Sequence, residues 1–262
     1  MATAAMGYGE RRFGAAYSVR IVAALVVLGF IVGIWIAQAD PRPASHPILL
    51  WVSVGIVGAL AVFWILFGKN TLTINDAGVR RETAFGQQEM SWSQITETRY
   101  RVTPVNVYGH LGLIGYILAM SSKSGPAQLS LELISGDGKK LKVTSMFRDA
   151  SDAIGSILAR ILPPMVQSVK ARLQRGETVQ FGGIGLSATA INWKNQSIPV
   201  SQITKAELLR TNLVVKREGK WMAAINVRSD KVPNVLVFLE VLESLAPQVK
   251  STGIDPLARV RM

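Results

Sequence analysis

Two long apolar runs near the N-terminus constrain this chain more than any other feature of it. Ile21 to Ala37 and Ile48 to Phe67 carry no charged residue. At about 1.5 Å of rise per residue, each run roughly spans a hydrocarbon core if helical. Between them, Gln38 to Pro47 holds Pro41, Pro43 and Pro47 beside Asp40, Arg42 and His46, which break helices and favour water. The expectation is an N-terminal segment, 1–68, made of a tail and a transmembrane helical hairpin with spans at about 21–37 and 48–67. Arg11, Arg12 and Arg20 precede the first run, and Lys69, Arg80 and Arg81 follow the second. The positive-inside rule then puts both termini on the cytoplasmic side. Trp35, Trp51 and Trp64 sit toward the run ends, where indole rings prefer the headgroup region. Gly29 and Gly33 on one run, with Gly55 and Ala59 on the other, offer small faces for close helix packing. A cleaved secretory leader ending at Ala37-Gln38-Ala39 is the competing reading, and the second apolar run so soon afterwards weighs against it.

Composition agrees with lipid contact. The chain is 49% hydrophobic and only 18% charged, with a mean hydropathy of +0.28, more apolar than an ordinary globular chain. Its net charge of +12 suits an anionic membrane surface. Nucleic acid is not expected, because no block of like charges marks a binding tail. With no cysteine, and with His46 and His110 the only histidines, there is no thiol nucleophile, disulfide framework or plausible metal cluster. No cofactor is expected.

Beyond Lys69 the chain repeats itself. Ser93-Gln94-Ile95-Thr96 recurs as Ser201-Gln202-Ile203-Thr204, and each copy is preceded by a Gly-aliphatic pair, Gly78-Val79 and Gly185-Leu186. Each is followed by alternating strand patterns and then by an apolar helix pattern. In the first copy, 69–164, about seven strands are predicted. Asn75-Asp76-Ala77-Gly78 and Gly136-Asp137-Gly138 provide turns. A helix through Ile154, Ile157, Leu158, Ile161 and Leu162 is expected to stop at Pro163-Pro164. A short linker helix, 165–175, should lead to the second copy, 176–262, which ends in a helix opened by Pro233 and a basic tail.

Seven or so antiparallel strands closed by one helix resemble the pleckstrin-homology-like fold. The run Gly176 to Gly182, the segment Ile198 to Ile203, then Lys216 to Trp221 and Val232 to Leu239 are similar to a family of uncharacterised bacterial membrane proteins. In that family two spans precede tandem pleckstrin-homology-like domains. The resemblance implies an α+β, mainly β fold: a transmembrane hairpin and then two small barrels, each closed by a C-terminal helix. It implies placement in a bacterial inner membrane, and it brings no activity. The apolar segment Tyr108 to Met120, and Val200 where a Trp is usual, depart from the family pattern.

No constellation in the sequence has the logic of an active site, so a catalytic role is not expected. Gly182-Gly183-Ile184-Gly185 lacks the spacing and the Lys of a phosphate loop. Three groups of residues are candidates for contact. Arg80, Arg81, Lys139, Lys140, Lys142, Lys216, Arg217 and Lys220 could meet anionic lipid headgroups, or could simply be solvated strand faces that resist aggregation. Tyr108, Leu111, Leu113, Ile114, Tyr116 and Ile117 could form an interface loop, or a buried hairpin. Gly29, Gly33, Gly55 and Ala59 could pack helices. The expected function is that of a membrane-anchored binding or scaffold protein whose tandem domains engage a protein partner or an anionic membrane surface. The alternatives are an accessory subunit of a membrane complex and a structural homo-oligomer.

Overall fold

The computed structural model describes residues 10–15, 69–104, 127–145, 147–209 and 211–249, with scattered helical positions between 24 and 62. Two runs of elements with the same order make up the fold. In the first, β1 (Arg11–Phe13), β2 (Thr71–Ile74), β3 (Gly78–Thr83) and β4 (Gly86–Ser91) form one antiparallel sheet. A 3-10 turn, Trp92–Gln94, then leads to a second sheet of β5 (Ile95–Pro104), β6 (Ala127–Ser135) and β7 (Lys140–Thr144). Helix α1 (Ala150–Gln174) follows.

The second run repeats this with β8 (Val179–Phe181), β9 (Ile184–Leu186), β10 (Ala190–Trp193) and β11 (Gln196–Pro199) in one sheet. A 3-10 turn, Val200–Gln202, precedes β12 (Ile203–Leu209), β13 (Asn212–Arg217) and β14 (Ile225–Arg228). Another 3-10 turn, Ser229–Lys231, then leads to α2 (Val235–Leu245).

Local chemistry explains these elements. In β7, Leu141 and Val143 are buried while Lys140 and Lys142 are exposed, the two-residue alternation of a strand with one face on the core. Asn75 shapes the β2–β3 turn by accepting from the N–H groups of Ala77 and Gly78, both at 3.0 Å. Gly78 is required there for close approach, because a Cβ would stand 2.2 Å from the Met90 carbonyl oxygen. The buried side chains of both runs join in one continuous core, from Leu72 through α1 to Val249.

Several expectations are corrected. The transmembrane hairpin is overturned: among the described residues no helix is long and apolar enough to cross a membrane. The two-span placement in a bacterial inner membrane, with cytoplasmic termini, falls with it. Hydropathy measures the composition of a run, and composition alone does not establish a helix of spanning length. Most of 21–37 and 48–67 lies outside the described residues; Leu28, Ile31, Trp35, Trp51 and Val54, which are described, are helical and exposed.

The closed barrels are overturned too. Each run holds two open sheets, because the 3-10 turns at Trp92–Gln94 and Val200–Gln202 turn the chain out of the ladder between the fourth and fifth strands. A side chain also links the two sheets of the first domain: Arg81 of β3 donates to the Lys142 carbonyl of β7 at 3.0 Å.

The boundary expected at 68/69 also moves. Phe13 pairs with Leu72, so the first sheet begins before the apolar runs, and residues 14–70 are an insertion in the β1–β2 connection. In the second domain the same connection is the tight turn Gly182-Gly183. Nor does the helix stop at Pro163-Pro164. It runs through both prolines to Gln174, so the expected linker helix is its second half. That continuation is held by packing on one face, where Val166 and Leu173 are buried, which outweighs the backbone hydrogen bonds that proline cannot make.

Candidate functional site

Two surfaces compete for the functional role: a seam and cleft between the domains, and the basic strands and loops. The seam is built around Asn234, which precedes α2 in the left-handed conformation, φ 53 and ψ 37. Its N–H donates to the Thr98 carbonyl at 2.8 Å. Its side-chain oxygen accepts from the Thr98 N–H at 2.7 Å and the Thr98 hydroxyl at 3.1 Å. Its amide nitrogen donates to the Thr96 carbonyl at 3.3 Å. The outer edge of β5 is thereby occupied, as edge strands require. Nearby, Arg101 lies 3.8 Å from Asp230. Asp230 is held below the usual carboxylate value chiefly by its hydrogen bond from Arg228, at 2.5 Å.

Beside this seam a cleft of about 560 Å³ is lined by both domains and by the middle of α1. Trp92 and Ile95 come from the first domain, Ile161, Met165 and Val169 from α1, and Val179, Phe181 and Val237 from the second. Phe181 is fixed by an edge-on contact with Phe238, 5.4 Å between centroids. Arg160 stacks over the Trp92 ring at 5.4 Å and donates to the Asp76 carboxylate at 3.0 Å. Arg172 donates to Glu177 at 2.8 Å, as does Arg175 from the other side. These arginines, Arg172 first, hold the Glu177 carboxyl below its ordinary range. The result is an apolar floor with polar groups at its rim, including Ser93, Thr96, Ser168 and Gln180, a mixture common to concave binding sites in general.

The basic residues singled out from sequence do not form one patch with one role. Arg81 is structural: it donates to Asn70 at 3.2 Å as well as to Lys142, lies over the Phe147 ring at 5.5 Å, and is lowered in pKa by burial. Arg80 pairs with Glu82 at 2.6 Å. Lys139 pairs with Asp137 at 2.8 Å, and that hydrogen bond, with those from Ser135 and the Lys139 backbone, holds the Asp137 carboxyl far below its usual value. Lys140, Lys142, Lys216 and Lys220 are exposed and Arg217 is half-exposed.

Of the helix-packing candidates, Gly29, Gly33, Gly55 and Ala59 are helical and exposed. A Cβ added at any of the three glycines would meet nothing within 4 Å among the described residues. Tyr108, Leu111, Leu113, Ile114, Tyr116 and Ile117 lie outside the described residues.

Sequence reasoning missed Asn234, Arg160, Trp92 and the exposed Trp221. Asn before an apolar helix run and Trp beside Lys in a turn are visible signals, but which strand or ring each meets is settled only by the fold. Among the described residues no group of three or more His, Cys, Asp or Glu side chains could hold a metal ion.

A search of curated proteins finds no match. One family model, described as a family of unknown function (DUF6585), matches residues 1–251. The chain belongs to the DUF6585 family.

Proposed function

We propose that this chain is a binding and scaffold protein without chemistry of its own, which engages an amphipathic segment of a protein partner in the cleft between its two domains. The observation that carries this reading is the composition of the cleft: its floor needs Trp92 from one domain, Met165 from the connecting helix and Phe181 from the other. A site assembled from both domains has a reason for the Asn234–Thr98 lock, because the walls keep their shape only while the domains stay joined. The arginines at the cleft are already neutralised by Asp76 and Glu177, which favours recognition by shape and apolar contact over capture of a free anion.

Photocrosslinking tests the reading. A benzophenone side chain placed at Ser168, in the cleft wall, should trap one discrete partner in cells that make the protein, and the same group at Gln88 on β4 should not. Met165→Asp should abolish the product at Ser168. Equal trapping at Ser168 and Gln88 would refute the proposal. So would a Ser168 product with twice the mass of the chain, since that is self-association.

A further inference from the structure

We infer that the loop between β13 and β14 is a contact site for an anionic lipid surface, a role that goes beyond the protein-binding cleft. Trp221 is 89% exposed and Met222 63% exposed at the tip of this loop. The base of the loop is fixed: Ala224 N–H donates to the Val215 carbonyl and Glu218 N–H to the Gln202 carbonyl, both at 2.8 Å. Gly219, at φ +69, makes the turn that carries Lys220 and Trp221 outward. Two large apolar side chains are therefore held out in water by a firm backbone.

The charges around this tip identify the occupant. Lys216, Arg217 and Lys220 flank it, with Glu218 the one carboxylate within the loop, and Lys205 pairs across the ladder with Lys216. Lys205 is offset by Glu207 at 2.9 Å. A net positive collar around an indole suits an anionic headgroup layer, where the cations meet phosphate and the ring sits at the headgroup boundary. The same collar disfavours a second copy of a chain whose net charge is +12. Phe85, equally bare at the β3–β4 turn, has Glu82 and Glu89 against Arg80 and Arg81 on its strands, with Arg80 paired to Glu82 and Arg81 bonded to Asn70 and Lys142, so no net positive collar surrounds it.

The chain has no cysteine, so a single Met222→Cys substitution in the full-length protein can carry an environment-sensitive fluorophore at the tip. With vesicles containing phosphatidylglycerol the label should shift to the blue and be quenched by nitroxide lipids. With phosphatidylcholine vesicles it should not respond. A label at Gln88 should stay silent on both, which separates this loop from any other lipid-seeking segment. Lys216→Gln, Arg217→Gln and Lys220→Gln should each weaken the response about fivefold, and Trp221→Ala should weaken it without lowering the melting temperature. The inference is overturned if the tip label ignores anionic vesicles or responds equally to both kinds. It is also overturned if the label responds to protein concentration without vesicles.

Discussion

Asn234 and Thr98, 136 residues apart in sequence, are joined by three hydrogen bonds across the seam between the domains. The pairing imitates one rung of a β-ladder: a backbone N–H and a side-chain oxygen of one residue take the carbonyl and N–H of the other. Thr98 is 1% exposed, so its N–H has no recourse to water if Asn234 is lost.

Asn234→Ala should therefore cost more than a surface substitution. It orphans a buried donor, worth about 1–3 kcal/mol, and places alanine in the left-handed region, at about 1–2 kcal/mol more. Urea unfolding should show the loss, and hydrogen exchange should show the Thr98 amide losing protection while β13 amides keep theirs. Asn234→Gly should recover only the backbone part.

Arg81 distinguishes a structural cation from a surface one. Arg81→Ala removes two hydrogen bonds and the contact with Phe147, and should lower stability by about 1–3 kcal/mol. Lys140→Ala and Lys142→Ala, on exposed positions of the neighbouring strand, should stay within about 0.5 kcal/mol. Denaturant titrations of the three variants give the ranking.

How much of this was legible in the sequence varies with the range of the interaction. Ser-Gln-Ile-Thr fell at equivalent places in the two runs, since both copies lie where a 3-10 turn enters the fifth strand. The Gly-aliphatic pairs did not. Gly78 opens β3, the third strand of its domain, whereas Gly185 lies in β9, the second. The structural counterpart of the Asn75–Gly78 turn is Ser187–Ala190, each closed by an N–H to carbonyl bond over three residues. Strand β1 was unreadable, because three residues, Arg11–Phe13, carry almost no periodicity and their partner lies beyond a long insertion. The cleft was hidden for the same reason: its walls are brought together by tertiary contacts, not by spacing.

Acid should weaken the structure around Asp230, beside the seam, in a defined way. The ordinary value for the Asp230 carboxyl is 3.8, and its folded value lies lower, mainly through the hydrogen bond from Arg228. A depressed carboxyl contributes stability above its unfolded pKa and loses it as pH falls through the folded value. Wild-type protein should thus be more stable than Asp230→Asn at pH 7, and the gap should close on acidification below the ordinary value. Melting temperatures of both proteins across that range test the sign. A gap that widened in acid would contradict it.

Pro163 and Pro164 carry the last expectation. Inside α1 each lacks the N–H that would bond one turn back, and an interior proline costs about 3 kcal/mol relative to alanine in a straight helix. Both are exposed, so neither repays that cost through burial, yet Pro164 lines the cleft between Ile161 and Met165. Pro164→Ala should raise stability by about 1–3 kcal/mol, because the helix regains a hydrogen bond and loses a steric clash. If the Pro164 ring shapes the cleft wall, the same variant should lose photocrosslinking at Ser168 while becoming harder to unfold. Stability and partner capture moving in opposite directions would tie the proline pair to recognition. Stability gained with capture unchanged would place the determinants of the cleft in its apolar floor instead.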